Sequence, residues 1–252
     1  MHPIIALWSH PRSMSTATER VMRERGDLAV FHEPFMYDYY VNRKADLFPH
    51  FEPEEGHPVT YEDVRDMLLA KGEEGPVFFK DMSYYMMPHM LEDRAFCERL
   101  THCFLIRDPV ASIASYVKLD PKVTSEEIGL VAQEAHHKGL TEMLGAAPVI
   151  LKAEDIRADT RAAIGALWER IGLPPADHAF EWQGEQPEEW KQVEGWHGTA
   201  THSKGIRPIT PEEIAKQQAT FEAMSAEHPQ MRAYLEEHLP AYERLAAQAL
   251  RF

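Results

Sequence analysis

Five short apolar runs in this chain each give way to a polar cluster, and the residue types in those clusters are suited to holding an anion. The clusters are Ser9 to Thr16, His32-Glu33-Pro34, Lys80-Asp81, Arg107-Asp108-Pro109 and Lys152. Three of the five close on a cation, Lys80, Arg107 or Lys152, and the first sets Arg12 among Ser9, Ser13, Ser15 and Thr16. Arginine beside hydroxyls, just before a helix, is phosphate-binding chemistry, because free N–H groups and the positive end of the helix dipole converge there. The same stretch also reads as an ordinary helix start with Ser13 or Ser15 as N-cap and Arg12 solvated. The nucleoside-triphosphatase pattern GxxxxGK[ST] is absent from it. In "FLIRDPVASIASYVK" (104–118), Asp108 suits a cap, Pro109 suits the first helical position, and Ser112 and Ser115 fall one turn apart. From Pro109 to Ser115 is roughly 9 Å of helix, so Arg107 and Ser115 could grip one phosphate from two sides. The plainer reading pairs Arg107 with Asp108.

The elements that must position these residues follow from periodicity. Strands are predicted at 4–8, 28–31, 77–80, 103–107 and 148–152, short and unalternating as expected of strands covered on both faces. Helices are predicted at 15–25, 60–71, 125–144 and 154–171, with Gly26, Gly72 and Gly172 as stop signals and Thr60 with Asp63 as a capping start. Strands separated by helices imply crossover connections, hence an α/β fold of three layers around a mainly parallel sheet. A single domain spanning 1–252 is expected, with a long Pro-, Gly- and Trp-rich late loop after residue 174 and C-terminal helices at 210–226 and 240–250. In an open parallel sheet, ligands bind beyond the carboxyl ends of the strands, where the cations cluster.

Bulk composition narrows the setting. A formal net charge of −15 argues against nucleic acid as the main partner, since polyanion affinity comes largely from clustered Lys and Arg. No run approaches the roughly 18 apolar residues needed to span a bilayer, and "MHPIIALW" lacks the features of a signal peptide, so a cytoplasmic protein with no membrane partner is expected. Cys97 and Cys103 read as free thiols. No metal-ligand spacing occurs, and His136-His137 reads as a solvated helix face.

Taken together, "PRSMST" (11–16), Arg107 with Ser115 eight residues on, and "VILKAEDIRADTRAAIGALWERIGLP" (149–174) resemble the sulfotransferase family. That family uses 3′-phosphoadenosine-5′-phosphosulfate as sulfuryl donor. Its first loop is typically PKSGT or PRSGTT, its second motif Arg-Asp-Pro followed by serine, and its third a strand, YEDL and a long helix. "SKG" (203–205) resembles its late basic glycine turn.

The resemblance implies a P-loop-like fold and a set of roles. Pro11, Arg12, Ser13, Met14, Ser15 and Thr16 would form the 5′-phosphate loop. Arg12 would stabilise the leaving phosphate, and Lys80 would point at the same group. Arg107 and Ser115, with Ser203, Lys204 and Gly205 near by, would bind the 3′-phosphate. No metal is required, since fixed cations replace magnesium. Some family members place a histidine base two residues after the strand lysine, but Met82 stands there. Others use a glutamate, so Glu33 is the expected base, with His32, Asp81 and His89 as substitutes. Ser9 and Met14 stand where glycine is usual, and Ala153 where a tyrosine is common.

"PFMYDYY" (34–40) and "MSYYMMPHM" (82–90) read either as walls of an apolar acceptor pocket or as core, and Trp182, Trp190 and Trp196 either as a lid or as loop packing. The expected partner is a small-molecule acceptor, with a homodimer left open. The rival readings are a P-loop phosphoryl-transfer enzyme acting on a small molecule and a non-catalytic nucleotide-binding protein.

Overall fold

Burial on both faces is what makes five short apolar segments strands. In the computed structural model, which describes residues 1–43, 51–182, 186–193 and 203–252, they are β1 (Ile4–Ser9), β2 (Ala29–His32), β3 (Val77–Met82), β4 (Leu100–Ile106) and β5 (Val149–Lys152). All pairings are parallel, in the order β2-β3-β1-β4-β5. The most apolar segment, β1, is central, and all six of its residues are buried.

The pleat sends alternate side chains to opposite faces. Ile4, Ala6 and Trp8 join Phe79 and Phe104 in one core, while Ile5 and Leu7 join Phe78, Leu105 and Leu151 in the other. The second core also takes Val21 and Met22 from helix α1 (Ser15–Glu24). Register brings the chemistry-bearing ends level: Lys80 lies opposite both Leu7 and His32, and Asp81 opposite Trp8.

Several boundaries differ from the sequence expectation, each for a packing reason. The second helix runs Tyr61–Glu74, straight through Gly72. That glycine is a close approach and not a stop, since a Cβ there would lie 2.5 Å from Ile4 Cδ1. The helix expected at 125–144 breaks at Gly129 into Ser125–Ile128 and Leu130–Leu144. Gly129 has φ +81°, and its bare Cα abuts His10, Pro11 and Tyr84. The helix expected at 154–171 divides at Asp159, whose carboxylate accepts from the Ala162 N–H (3.0 Å) and caps Thr160–Ile171. The last helix starts at Gln230, ten residues before the predicted 240, and carries Pro240 in its interior to end at Ala246.

His136 and His137 correct an expectation. Both are buried: His136 packs on Trp8 at a ring separation of 4.8 Å, and His137 bonds the Pro148 carbonyl (3.1 Å). The helix that carries them lies against the sheet on one side and against Gln230–Ala246 on another, so it has little solvated face. Among the described residues no helix is long and apolar enough to cross a membrane.

Candidate active site

The loop leaving β1 is built on unusual backbone. Among the described residues three non-glycine positions have positive φ: Arg12 (63°), Met14 (73°) and Glu33 (45°). All three lie beyond the carboxyl ends of β1 and β2, and such conformations cost on the order of 1–3 kcal/mol each. Met14, not Ser13 or Ser15, is the N-cap of α1, and no side chain caps the helix. Its left-handed backbone explains why glycine is common there. The Ser13 N–H closes the turn on the His10 carbonyl (3.3 Å). The Ser13 hydroxyl is buried with no partner among the described residues, which is costly unless something else occupies it. An uncapped helix start beside an unsatisfied hydroxyl suits an anion.

Two arginines from separate strand ends meet at this loop. The Arg12 guanidinium donates through Nε to Ser115 Oγ (3.0 Å), and Arg107 donates from Nη1 to the Arg12 carbonyl (2.8 Å). The Arg107 N–H donates to His10 Nε2 (3.0 Å). His10 is wholly buried, and desolvation, then the Arg107 charge, lowers its pKa to about 3, so it is a neutral acceptor. Burial and the neighbouring Arg107 pull Arg12 down to about 10, and burial lowers Arg107 as well. Two cations held together out of water are poised for a polyanion.

The second strand end is secured differently. Asp108 accepts from the Val110 N–H (2.8 Å), Pro109 occupies the first helical turn, and the helix runs Pro109–Val117. The Asp108 N–H in turn donates to Glu154 Oε1 (2.9 Å).

Beyond β2 and β3 lies a second cluster of charge. Lys80 is fully buried and bonds Glu33 Oε1, and the Tyr85 hydroxyl reaches Glu33 Oε2 at 3.5 Å. The Glu33 N–H donates to the Lys80 carbonyl (2.9 Å), which holds the strained residue in place. His32 Nδ1 lies 2.6 Å from Glu19 Oε2, and His32 Nε2 lies 3.9 Å from Glu33 Oε1. Asp81 is a scaffold group: its two oxygens accept from the Phe35 and Met82 N–H groups (2.8 and 2.9 Å), and burial with the nearby Glu33 charge raises its pKa. His89 stacks on Tyr61 (5.6 Å), within the core around Phe96. Lys152 pairs with Asp155 (3.1 Å).

Comparison with known proteins converges on one family. A sulfotransferase domain model matches residues 2–233. The chain belongs to the sulfotransferase family. The sulfotransferase domain of the Synechococcus PCC 7002 olefin synthase superposes with a TM-score of 0.50 at 15% identity, covering 88% of this chain and 95% of that domain. The sulfotransferase domain of the curacin biosynthetic pathway gives 0.51 at 13% identity, covering 90% and 97%. Both share the fold. Branched-chain-amino-acid aminotransferase-like proteins 2 and 1 of Arabidopsis thaliana are 27% and 26% identical over 210 and 218 residues. Each match takes in 81% of this sulfotransferase, but the chain spans only about a third (36%) of the length of these relatives.

Within this sulfotransferase, the late turn lies at the margin of the site. The Lys204 carbonyl accepts from the Trp182 N–H (3.2 Å), and Gly205 sits so near the Phe180 carbonyl that a Cβ would lie 3.2 Å from it. Arg157, whose charge acts on Arg107, donates to the Arg207 and Pro208 carbonyls just beyond (3.3 Å each). Trp182 and Trp190 are buried as packing, and Trp196 lies outside the described residues. Of the aromatic segments, Phe35, Met36, Tyr37, Tyr39, Tyr40, Tyr84, Tyr85 and Met86 are buried. Sequence reasoning missed His10, Glu19, Tyr85 and Glu154. Glu19 had one visible signal, its spacing of four from Arg23, which reads as a surface pair.

Proposed function

We propose that this sulfotransferase moves a sulfuryl group from 3′-phosphoadenosine-5′-phosphosulfate to a hydroxyl or amine of a small-molecule acceptor. The observation that carries the reading is the junction of Arg12, Arg107 and Ser115 at the uncapped start of α1. Residues Pro11 to Thr16 hold the 5′-phosphate through backbone N–H groups and the Ser13, Ser15 and Thr16 hydroxyls, and Met14 supplies the left-handed bend that aims them. Arg107 and Ser115 hold the 3′-phosphate, with Ser203, Lys204 and Gly205 at its edge. Arg12 stabilises the negative charge that develops on the phosphate oxygen as sulfur leaves. Lys80 lies beside the base in the resting protein and supports the same charge during transfer. Glu33 takes the acceptor's proton. Among the described residues no group of three or more His, Cys, Asp or Glu is placed to hold a metal ion.

Calorimetry with 3′-phosphoadenosine-5′-phosphate against ATP plus magnesium tests the donor. Tighter binding of the 3′-phosphorylated ligand is expected, and preference for ATP overturns the assignment in favour of phosphoryl transfer. Glu33→Gln is expected to keep donor affinity and to lower transfer to a panel of phenols, alcohols and amines by roughly 100- to 10,000-fold. Donor binding without turnover by the unaltered protein would instead point to a nucleotide-binding role.

A further inference from the structure

Glu19 is a fully buried carboxylate on α1 that the scheme above does not use. Its two oxygens are divided. Oε1 accepts from Arg23 Nε (2.7 Å) and from the Trp190 indole (2.9 Å), while Oε2 faces His32 Nδ1 at 2.6 Å. The ring of His32 is buried, and its far nitrogen is the one directed to Glu33. Each carboxylate already has its own cation, Arg23 for Glu19 and Lys80 for Glu33, so the imidazole is not needed as a charge between them. A neutral ring that donates Nδ1–H to Glu19 leaves the Nε2 lone pair toward the Glu33 carboxyl.

We propose that Glu19 is a positioning residue that fixes His32 in the Nδ1–H tautomer, and that His32 Nε2 receives the acceptor's proton from Glu33. The inference rests on the sulfuryl-transfer reading above. In balance, the acceptor oxygen or nitrogen forms a bond to sulfur as the bond from sulfur to the phosphate oxygen breaks, that oxygen keeping the electron pair. The acceptor's proton goes first to Glu33 and then to His32 Nε2. The resulting imidazolium is stabilised by Glu19 until the proton leaves to solvent. The 3.9 Å between Nε2 and Glu33 is closed by a side-chain adjustment once Lys80 turns toward the donor. Burial opposes the charged form of Glu19, but the charge and hydrogen bond of His32, with Arg23 and Lys80, more than offset it and hold the carboxyl low.

The division of oxygens makes Glu19→Gln informative. Two donors on Oε1 force the amide oxygen to that side, so the amide N–H must face His32 Nδ1 and the proton must move to Nε2. Long-range ¹H–¹⁵N spectra are expected to show the Nδ1–H tautomer for His32 in the unaltered protein at neutral pH and the Nε2–H tautomer in Glu19→Gln. Affinity for 3′-phosphoadenosine-5′-phosphate should stay within about 3-fold. Release of sulfate from ³⁵S-labelled donor, with water as acceptor, and transfer to the best acceptor of the panel should fall by roughly 100-fold. The pH–rate profile should shift, since the groups facing His32 are Glu19 and Arg23 from α1, Glu33 from β2, Lys80 from β3 and the non-titrating Trp190.

An Nε2–H ring or an imidazolium in the unaltered protein overturns the positioning role, and the spectrum needs no variant to fold. An unchanged rate and profile in Glu19→Gln overturns the relay. Failure of the unaltered protein to bind 3′-phosphoadenosine-5′-phosphate overturns the donor reading and the relay with it, while the spectrum still decides what Glu19 does to His32.

Discussion

The two arginine-bearing loops deliver their cations to one place by opposite means. After β4, Asp108 caps its own helix, Pro109 starts it and the backbone is ordinary, so the turn is satisfied without a ligand. After β1, α1 has no side-chain cap, Arg12 and Met14 are left-handed and the Ser13 hydroxyl is buried without a partner among the described residues. The contrast separates the labour: the first loop is incomplete until an anion arrives, whereas the second is a rigid mount for Arg107 and Ser115. Strain and unmet hydrogen bonds are concentrated where the reacting group would sit, and the holding group stands on regular structure.

The largest test of this division compares the two arginines. Arg12→Ala should lower transfer by roughly 100- to 1,000-fold. Arg107→Ala should weaken 3′-phosphoadenosine-5′-phosphate by roughly 10- to 100-fold in calorimetry but leave adenosine 5′-monophosphate unaffected. Equal losses for both ligands in Arg107→Ala would erase the distinction.

His10 links the loops and gives a pH signature of intermediate size. Its native pKa of about 3, set chiefly by burial and then by Arg107, lies below the ordinary histidine value of 6.5. Above 6.5 neither the native nor the unfolded state carries the proton. Below it the unfolded chain binds a proton that the native protein refuses, so stability falls as pH drops from 6.5 toward 3. The slope is about 1.4 kcal/mol per pH unit for this one group. His10→Gln keeps an acceptor for the Arg107 N–H and should flatten the pH dependence of the urea midpoint between pH 6.5 and 5 by that amount. Parallel lines for the two proteins would show that His10 titrates freely.

The smallest effects are local. Asp108→Ala should cost about 1 kcal/mol of stability, the value of a lost N-cap. At position 14, Met14→Gly and Met14→Ala remove the same packing but only glycine relieves the left-handed backbone. Glycine should therefore be the more stable by about 1 kcal/mol in denaturant titration, and a more stable alanine would count against strain in this loop.

Much of this was legible in the sequence, for identifiable reasons. Strands buried on both faces appear as short uninterrupted apolar runs, and all five lie within three residues of the predicted ends. The strand-end cations and Glu33 announced themselves because charge directly after such a run has few structural uses. What stayed hidden depends on tertiary neighbours. Gly72 looked like a stop because nothing in the sequence places Ile4 against it. His136 and His137 looked solvated because periodicity reveals one helix and not the helix that covers it. Glu19 looked like half of a surface pair because Trp190, its second donor, is 171 residues away. Backbone strain left no trace either, since Arg12, Met14 and Glu33 are residue types without a preference for positive φ.

Gly129 carries a consequence for inheritance. A Cβ there would lie 3.2 Å from His10 Cβ, 3.3 Å from Tyr84 Cδ1 and 3.4 Å from Pro11 Cδ, at a φ that other residues rarely adopt. Three stretches far apart in the chain thus share one small volume. Among descendants of this protein, a side chain gained at position 129 is expected only in lineages where positions 10, 11 or 84 have already shrunk, so that the break in a distant helix and the loop after β1 evolve as one locus.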